Sequence, residues 1–172
     1  MQNKKLARKA RSLRWLMNLY PPYLGAGVKV RNISPDFREV QVSMGLTWYN
    51  RNYVRTQFGG SLYSMTDPFY MLMLMENLGR DYVVWDKASH IEFVSPGKGT
   101  VHAEFKIDQD MLDKIREHTA AGEKYLPKYK VEVRDDHGTL VARVDKTLYI
   151  RRKPQAQLAD KPQPRISICT QI

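Results

Sequence analysis

One segment limits the folds open to this chain more than any other feature. Residues 58–78 read FGGSLYSMTDPFYMLMLMENL, and apolar side chains occupy nearly every side of the predicted helix. A helix that is apolar all round is buried on all sides. We therefore place one central helix at about residues 59–78, with a sheet wrapped around it. Gly79 follows as a C-terminal cap would.

The rest of the chain shows mainly the period-two alternation of strands. A hairpin forms around the Ser34-Pro35-Asp36 turn, and a short helix is expected from Asp110 to about Ala121. The predicted strands are Val28–Val30, Val40–Leu46, Val83–Val94, Val101–Ile107, Tyr129–Val133 and Leu140–Ile150. These elements predict an α+β fold in which an antiparallel sheet of about six strands surrounds the central helix.

Three regions are expected along the 172 residues. Residues 1–20 form a basic amphipathic helix, which the breakers Pro21-Pro22 end. Residues 21–152 form the domain, and residues 153–172 form an aperiodic tail that we expect to be disordered or loosely packed. The single cysteine, Cys169, lies in this tail, which excludes a disulfide framework and a cysteine metal cluster.

The net charge of +10 is concentrated at the ends of the chain. Residues 1–31 carry eight Lys/Arg and no acid, whereas residues 32–145 have a net charge of −3. A nucleic-acid groove draws positive charge from the folded face itself, so the pattern argues against nucleic-acid binding. Basic ends suit an anionic ligand, an acidic partner or a membrane surface. For residues 1–20 we favour a helix docked on the protein surface and keep weak membrane-surface contact as the minority alternative.

Location follows from what the sequence lacks. No run of about 18 apolar residues occurs, so a spanning helix is excluded. The first residues have charges among the apolar positions and no small-residue cleavage site, unlike a secretory signal. A cytoplasmic protein is the expectation.

Asp67 is a carboxylate inside the apolar segment, between Met65 and Phe69. A buried carboxylate has a partner or titrates unusually, and both occur at functional sites. Asp67-Pro68 is also a good cap and first residue for a helix that begins at Pro68, and the local sequence favours neither interpretation. Gly59-Gly60 favours a site, because glycines at a helix start let free N–H groups approach a ligand. Gly60 and Asp67 would be about 10 Å apart along one helix, so one site needs two antiparallel chains.

A longer pattern then emerges: Asn52-x5-Phe58-Gly59-Gly60-x6-Asp67, followed by a strand that ends in Phe93-x-Ser95-Pro96-Gly97. It resembles the hotdog-fold acyl thioesterases, and among them the phenylacetate-pathway type. The resemblance extends from about Tyr20 to Arg152 and is greatest to an uncharacterised bacterial branch.

The resemblance implies roles for individual residues. Asp67 would be the general base or nucleophile at a thioester carbonyl, the Gly60 N–H would stabilise the oxyanion from the facing chain, and Asn52 would orient water or the loop. The substrate-binding residues would be Phe58, Gly59, Phe69, Tyr70, Met73, Phe93 and Lys98. Phe58 departs from the family, which usually has histidine there, and Pro68 should kink the helix beside Asp67.

The resemblance therefore predicts a homodimer that hydrolyses acyl-CoA or acyl-carrier-protein thioesters, with a dimer of dimers left open. It calls for no cofactor, and the four histidines lack the spacing of metal ligands. The alternative is a non-catalytic module that binds acyl thioesters, which the loss of the histidine at Phe58 favours.

Overall fold

The structure is a computed structural model, and it describes residues 2–154. Most of the predicted tail, residues 155–172 with Cys169, lies outside the described residues. The helices are α1 (Gln2–Asn18), α2 (Pro21–Ala26), α3 (Gly59–Ser64), α4 (Phe69–Leu78) and α5 (Gln109–His118). The strands are β1 (Val28–Ile33), β2 (Glu39–Met44), β3 (Tyr82–Phe93), β4 (Val101–Lys106), β5 (Lys124–Tyr125), β6 (Lys128–Asp135) and β7 (Leu140–Arg152).

One antiparallel sheet, in the order β1-β2-β4-β6-β7-β3, forms the body of the molecule. The predicted α+β arrangement of an antiparallel sheet and a central helical segment is confirmed. The count differs, because a seventh strand, β5, pairs with β7. Its two residues are too few to show an alternation of apolar and polar side chains, so the sequence pattern missed it.

Strand β7 lies between β6 and β3, and from Ala142 to Ile150 buried side chains alternate with partly exposed ones. Its inward positions include Val144, Lys146, Leu148 and Ile150, and all four residues are fully buried. Strand β3 pairs with β7 from Tyr82 to Phe93, with an irregularity between Asp86 and Ala88. A lysine thus occupies a core-facing position on β7, which has a strand on each side.

The central helix is not continuous, which corrects the predicted helix over residues 59–78. Helix α3 ends at Ser64 and α4 begins at Phe69, so Asp67 lies in the connection between them. Pro68 is the physical reason, because it has no N–H to donate within a helix and its ring clashes with the preceding turn. The Ser64 carbonyl instead accepts a hydrogen bond from the Asp67 N–H, at 3.3 Å.

The expectation that the central helix is buried on all sides is also wrong. Phe69, Tyr70, Met73 and Leu74 face the sheet and are buried, but Met75 is 47% exposed. Helix α4 therefore covers one face of the sheet, and its other side is open in a single chain.

The N-terminal helix is confirmed, and it docks on the edge of the sheet at β1. The Asn18 side chain donates to the Val30 carbonyl at 3.0 Å and accepts from the Val30 N–H at 2.8 Å. Pro21 and Pro22 were expected only to end the N-terminal helix. They also begin α2, because proline suits the first positions of a helix. Within residues 2–154, no helix combines the length and the apolarity needed to cross a membrane.

Candidate functional site

Two exposed phenyl rings lie on the glycines that begin α3. A Cβ on Gly59 would come within 2.8 Å of the Phe93 ring, and a Cβ on Gly60 within 2.5 Å of the Phe58 ring. Phe58 is 55% exposed and Phe93 is 57% exposed. The structure therefore brings four of the predicted site residues together, and the missing side chains of Gly59 and Gly60 make room for the rings.

Gln57 holds the connection between β3 and β4 against the start of α3. It is 3% exposed, and its Nε2 donates to the carbonyls of Met44, at 3.3 Å, and Gly99, at 2.9 Å. Its backbone N–H donates to the Gly97 carbonyl at 2.9 Å. Lys98 projects from this connection and is exposed. The sequence analysis missed Gln57, since a glutamine in a loop carries no local signal of burial.

The Asn52 amide closes the loop that precedes α3. Its Oδ1 accepts from the Thr56 N–H at 3.0 Å, and its Nδ2 donates to the Thr56 hydroxyl at 2.9 Å and to the Gln57 carbonyl at 3.4 Å. Of the two roles that the resemblance implies for Asn52, this geometry supports the orientation of the loop.

Asp67 forms an ion pair with a lysine from the sheet. The Lys146 Nζ donates to Oδ1 of Asp67 at 2.8 Å, and the Asp86 Oδ2 lies 3.3 Å from the same nitrogen. The alternative interpretation of Asp67 as a helix cap is wrong, because Pro68 occupies the cap position of α4 and no side chain bonds there. The Tyr23 hydroxyl donates to the Asp67 carbonyl and ties the residue to α2.

The three charged side chains differ in their access to solvent. Lys146 has no exposed side-chain surface, Asp86 is 19% exposed and Asp67 is 44% exposed. Asp67 therefore has a charged partner, as expected for a carboxylate among apolar residues. Its side chain is more exposed to solvent than its apolar sequence neighbours suggest. Lys146 contacts Oδ1 of Asp67, and the carboxylate side chain as a whole stays nearly half exposed to solvent.

The pKa values in this cluster are shifted by burial and by charge. Burial alone would lower the pKa of Lys146, but the hydrogen bond to Asp67 and the charges of Asp67 and Asp86 outweigh it, and the pKa is raised. Burial raises the pKa of Asp86 more than the nearby Lys146 ammonium lowers it, and the Asp67 charge raises it further. Lys146 therefore stays protonated over the range in which carboxylates ionise.

A cleft of about 520 Å³ separates α2 from α3 and the loop before it. Its lining residues are Pro22, Gly25, Ala26, Tyr49, Asn50, Arg51, Phe58, Gly60, Ser61 and Ser64. Asp67 lies three residues after Ser64, and its N–H donates to the Ser64 carbonyl, but Asp67 is not among the residues that line the cleft.

Phe69, Tyr70 and Met73, which were predicted to bind substrate, lie in the core. Phe69 and Tyr70 pack on Phe105, with ring centroids 4.9 Å and 5.3 Å away. The Tyr70 hydroxyl donates to the Lys130 carbonyl at 3.0 Å, and burial raises the pKa of Tyr70 to about 12. In this structure the three side chains support the sheet face behind the site and do not line the cleft.

Lys146 was not among the predicted site residues, although the sequence carries a local signal for it. In β7 the apolar residues Val144, Leu148 and Ile150 recur at every second position, and Lys146 occupies the position between the first two. A charged residue in such a series must face the core, where it needs a counter-charge.

Residues 8–150 match the family described as "Domain of unknown function (DUF4442)", and the chain belongs to this family. None of the curated proteins matches the chain.

Several solved structures share the fold. A protein of unknown function from Pseudomonas aeruginosa, described as a probable thioesterase, has a TM-score of 0.71 at 16% identity, covering 83% of this chain and 95% of that one. A thioesterase from Haemophilus influenzae has a TM-score of 0.61 at 11% identity, with 83% and 90% covered. The PaaI protein of the Escherichia coli phenylacetic acid degradation operon has a TM-score of 0.56 at 15% identity, with 90% and 97% covered. The resemblance to hotdog-fold thioesterases is thus confirmed as a likeness of fold.

Proposed function

We propose that this protein hydrolyses acyl thioesters carried by coenzyme A or by acyl-carrier protein, with Asp67 as general base or nucleophile. The observation that carries the proposal is the Asp67 carboxylate itself, which is 44% exposed yet fixed at one oxygen by a buried ammonium. It follows Ser64, a lining residue of the α2–α3 cleft, in a fold that a solved thioesterase shares.

In the general-base route, Asp67 takes a proton from a water molecule as the water oxygen attacks the thioester carbonyl carbon. The carbon–sulfur bond then breaks, and the sulfur receives the proton from Asp67. The products are a carboxylic acid and a free thiol. The N–H groups of the first turn of α3 have no partner within the helix, and the Gly60 N–H is our candidate donor to the oxyanion.

We further propose that the protein acts as a homodimer. Strand β3 is an edge of the sheet and is 12 residues long, which is a long edge to leave without a partner. Trp85, Phe93 and Val94 along this edge are about half exposed, and the exposed side of α4 lies beside the same strand. A second copy would cover these surfaces and could set Gly60 of one chain opposite Asp67 of the other. Gly60 and Asp67 do not lie on one continuous helix, so their expected separation of about 10 Å along a helix no longer supports the dimer. The long edge strand β3 supports it instead.

The substrate would present both an apolar and an anionic part. The exposed Phe58 and Phe93 rings suit an acyl chain, while Arg51 in the cleft and Lys98 in the neighbouring connection suit phosphate groups. The net negative charge of the protein body leaves these cations and the basic chain ends as the groups best suited to meet an anionic carrier.

A hydrolysis screen over acyl-CoA of graded chain length tests the proposal. Asp67→Asn keeps the size of the side chain but cannot accept the proton, so we expect kcat to fall by about 10²–10⁴-fold. The matched control is Asp113→Asn, which changes an exposed aspartate on α5. Wild-type turnover in Asp67→Asn would contradict the proposal.

The second candidate is a module that binds acyl thioesters without hydrolysing them. Phe58 favours it, because an exposed phenyl ring stands where the resembled family usually has a histidine, and it supplies no polar group. Calorimetry with a non-hydrolysable acyl-CoA thioether separates the two candidates: binding without turnover of the matching thioester in the wild type supports the module.

A further inference from the structure

Lys146 is a charged side chain that the proposed reaction does not yet use. It lies on the inward face of β7 and has no exposed side-chain surface. Removing an ammonium group from water is costly unless it is paired and hydrogen-bonded. A methionine would fill the same space without that cost, so the retained charge calls for an explanation beyond packing.

The ammonium group joins three separate parts of the fold. It bonds to Asp67, in the connection between α3 and α4, and lies close to Asp86 on β3. The Tyr63 ring of α3 is 5.4 Å away, measured from Nζ to the ring centroid. Within residues 2–154, the Oδ1 atom of Asp86 is buried and has no hydrogen-bond partner. Asp86 is therefore held at one oxygen only, and that oxygen faces Lys146.

We propose that Lys146 and Asp86 are positioning residues that hold the Asp67 carboxylate in its reactive orientation. This inference rests on the proposed thioesterase function. Lys146 fixes one oxygen of Asp67 and directs the other toward the water or substrate. Asp86 pairs with the same ammonium from strand β3 and keeps it in place. The series Asp86–Lys146–Asp67 thus anchors a partly exposed carboxylate to the paired strands β3 and β7 of the sheet.

A misplacement of about 1 Å can cost about 100-fold in rate, which sets the size of the expected effect. In Lys146→Met we expect kcat to fall by about 100-fold, and in Asp86→Asn, which keeps the bond from Lys146 to Asp67, by about 10-fold. KM should change by less than about threefold in both variants, because neither residue is placed to contact the substrate. A purely structural role would not confine the loss to kcat.

The experiment measures kcat and KM of the full-length protein on the acyl-CoA that the wild type hydrolyses best. Lys130→Met is the control, since Lys130 lies on the neighbouring strand β6 and is 73% exposed. Thermal unfolding of each variant shows whether it is folded. If Lys146→Met does not fold, Asp86→Asn decides the question, because it leaves the ammonium in place.

The outcomes separate this inference from the proposed function. A loss of kcat in Lys146→Met and Asp86→Asn, with KM and the control unchanged, supports the positioning role. Wild-type kcat in a folded Lys146→Met or in Asp86→Asn, while Asp67→Asn is inactive, overturns the positioning role and leaves the thioesterase proposal standing. A wild type that hydrolyses no acyl thioester overturns both.

Discussion

Lys146→Met tests the buried ion pair through stability rather than activity. The substitution keeps most of the side-chain volume and removes the charge that neutralises Asp86 and Asp67. Breaking a buried pair by removing one partner costs about 3–5 kcal/mol, because the other charge stays buried and uncompensated. Asp86, at 19% exposed, falls in this class.

The contribution of Asp67 is smaller. At 44% exposed it can recover water, and a pair open to this degree is worth about 0–1 kcal/mol. Methionine also offsets part of the loss, because it buries an apolar chain without desolvating an ammonium. We therefore expect Lys146→Met to lower the free energy of unfolding by about 3 kcal/mol at neutral pH. At about 2–4 °C for each kcal/mol, this corresponds to a fall in Tm of about 10 °C.

The double variant Lys146→Met/Asp86→Asn isolates the cause. The asparagine introduced by the second substitution carries no charge, so the double variant should unfold with a free energy about 2 kcal/mol higher than that of Lys146→Met. Urea unfolding followed by circular dichroism measures all three proteins, and Lys130→Met again serves as the control. A Lys146→Met variant as stable as the wild type, with no gain from Asp86→Asn, would refute the reasoning.

The pH dependence has a definite sign. Burial raises the pKa of Asp86 in the folded protein, so its contribution to stability is fully present below the unfolded value of 3.8 and is lost as pH rises through the raised value. Asp86→Asn removes this dependence. The stability of Asp86→Asn relative to the wild type should therefore improve as pH rises from below 4 toward neutrality, and a constant difference would contradict this assignment.

Three further predictions concern the site and the surface. Gly60→Ala should change the free energy of unfolding by less than about 1 kcal/mol, because the exposed Phe58 ring can move away and alanine favours a helix. Alanine keeps the backbone N–H, but its Cβ crowds the approach of a substrate oxygen to that N–H, so kcat should fall; unchanged turnover would count against an oxyanion bound at Gly60. Light scattering at micromolar concentration should give twice the chain mass of 20.1 kDa, and a monomeric wild type would refute the proposed dimer. Phe93→Asp should weaken the dimer. Trp15 lies on the basic helix α1 and Leu19 directly follows it, and both are more than 60% exposed. They should give the protein weak binding to anionic vesicles, which both added salt and the Trp15→Ser/Leu19→Ser variant should abolish. A protein that does not bind such vesicles at low salt would contradict membrane contact.

Most of the sheet could be predicted from the sequence, because an antiparallel strand with one buried face carries its burial pattern in its own residues. The strand predicted over Val83–Val94 is β3 at Tyr82–Phe93, one residue different at each end. The strand predicted over Leu140–Ile150 is β7 at Leu140–Arg152, which is two residues longer. The Gly59-Gly60 pair likewise marked the start of α3. In each case the signal is local and needs no knowledge of a distant partner.

The environment of Asp67 was decided only by the tertiary structure. Its sequence neighbours indicated that it needs a partner, but that partner, Lys146, is 79 residues away along the chain. The pairing exists because β7 lies beside β3 in the sheet and the break at Pro68 turns Asp67 toward them. Alternation within a strand shows that Lys146 faces inward, yet it contains no information about which loop or strand that face meets. The contact between the two charges is therefore a property of strand order and helix packing, which no local pattern of residues encodes.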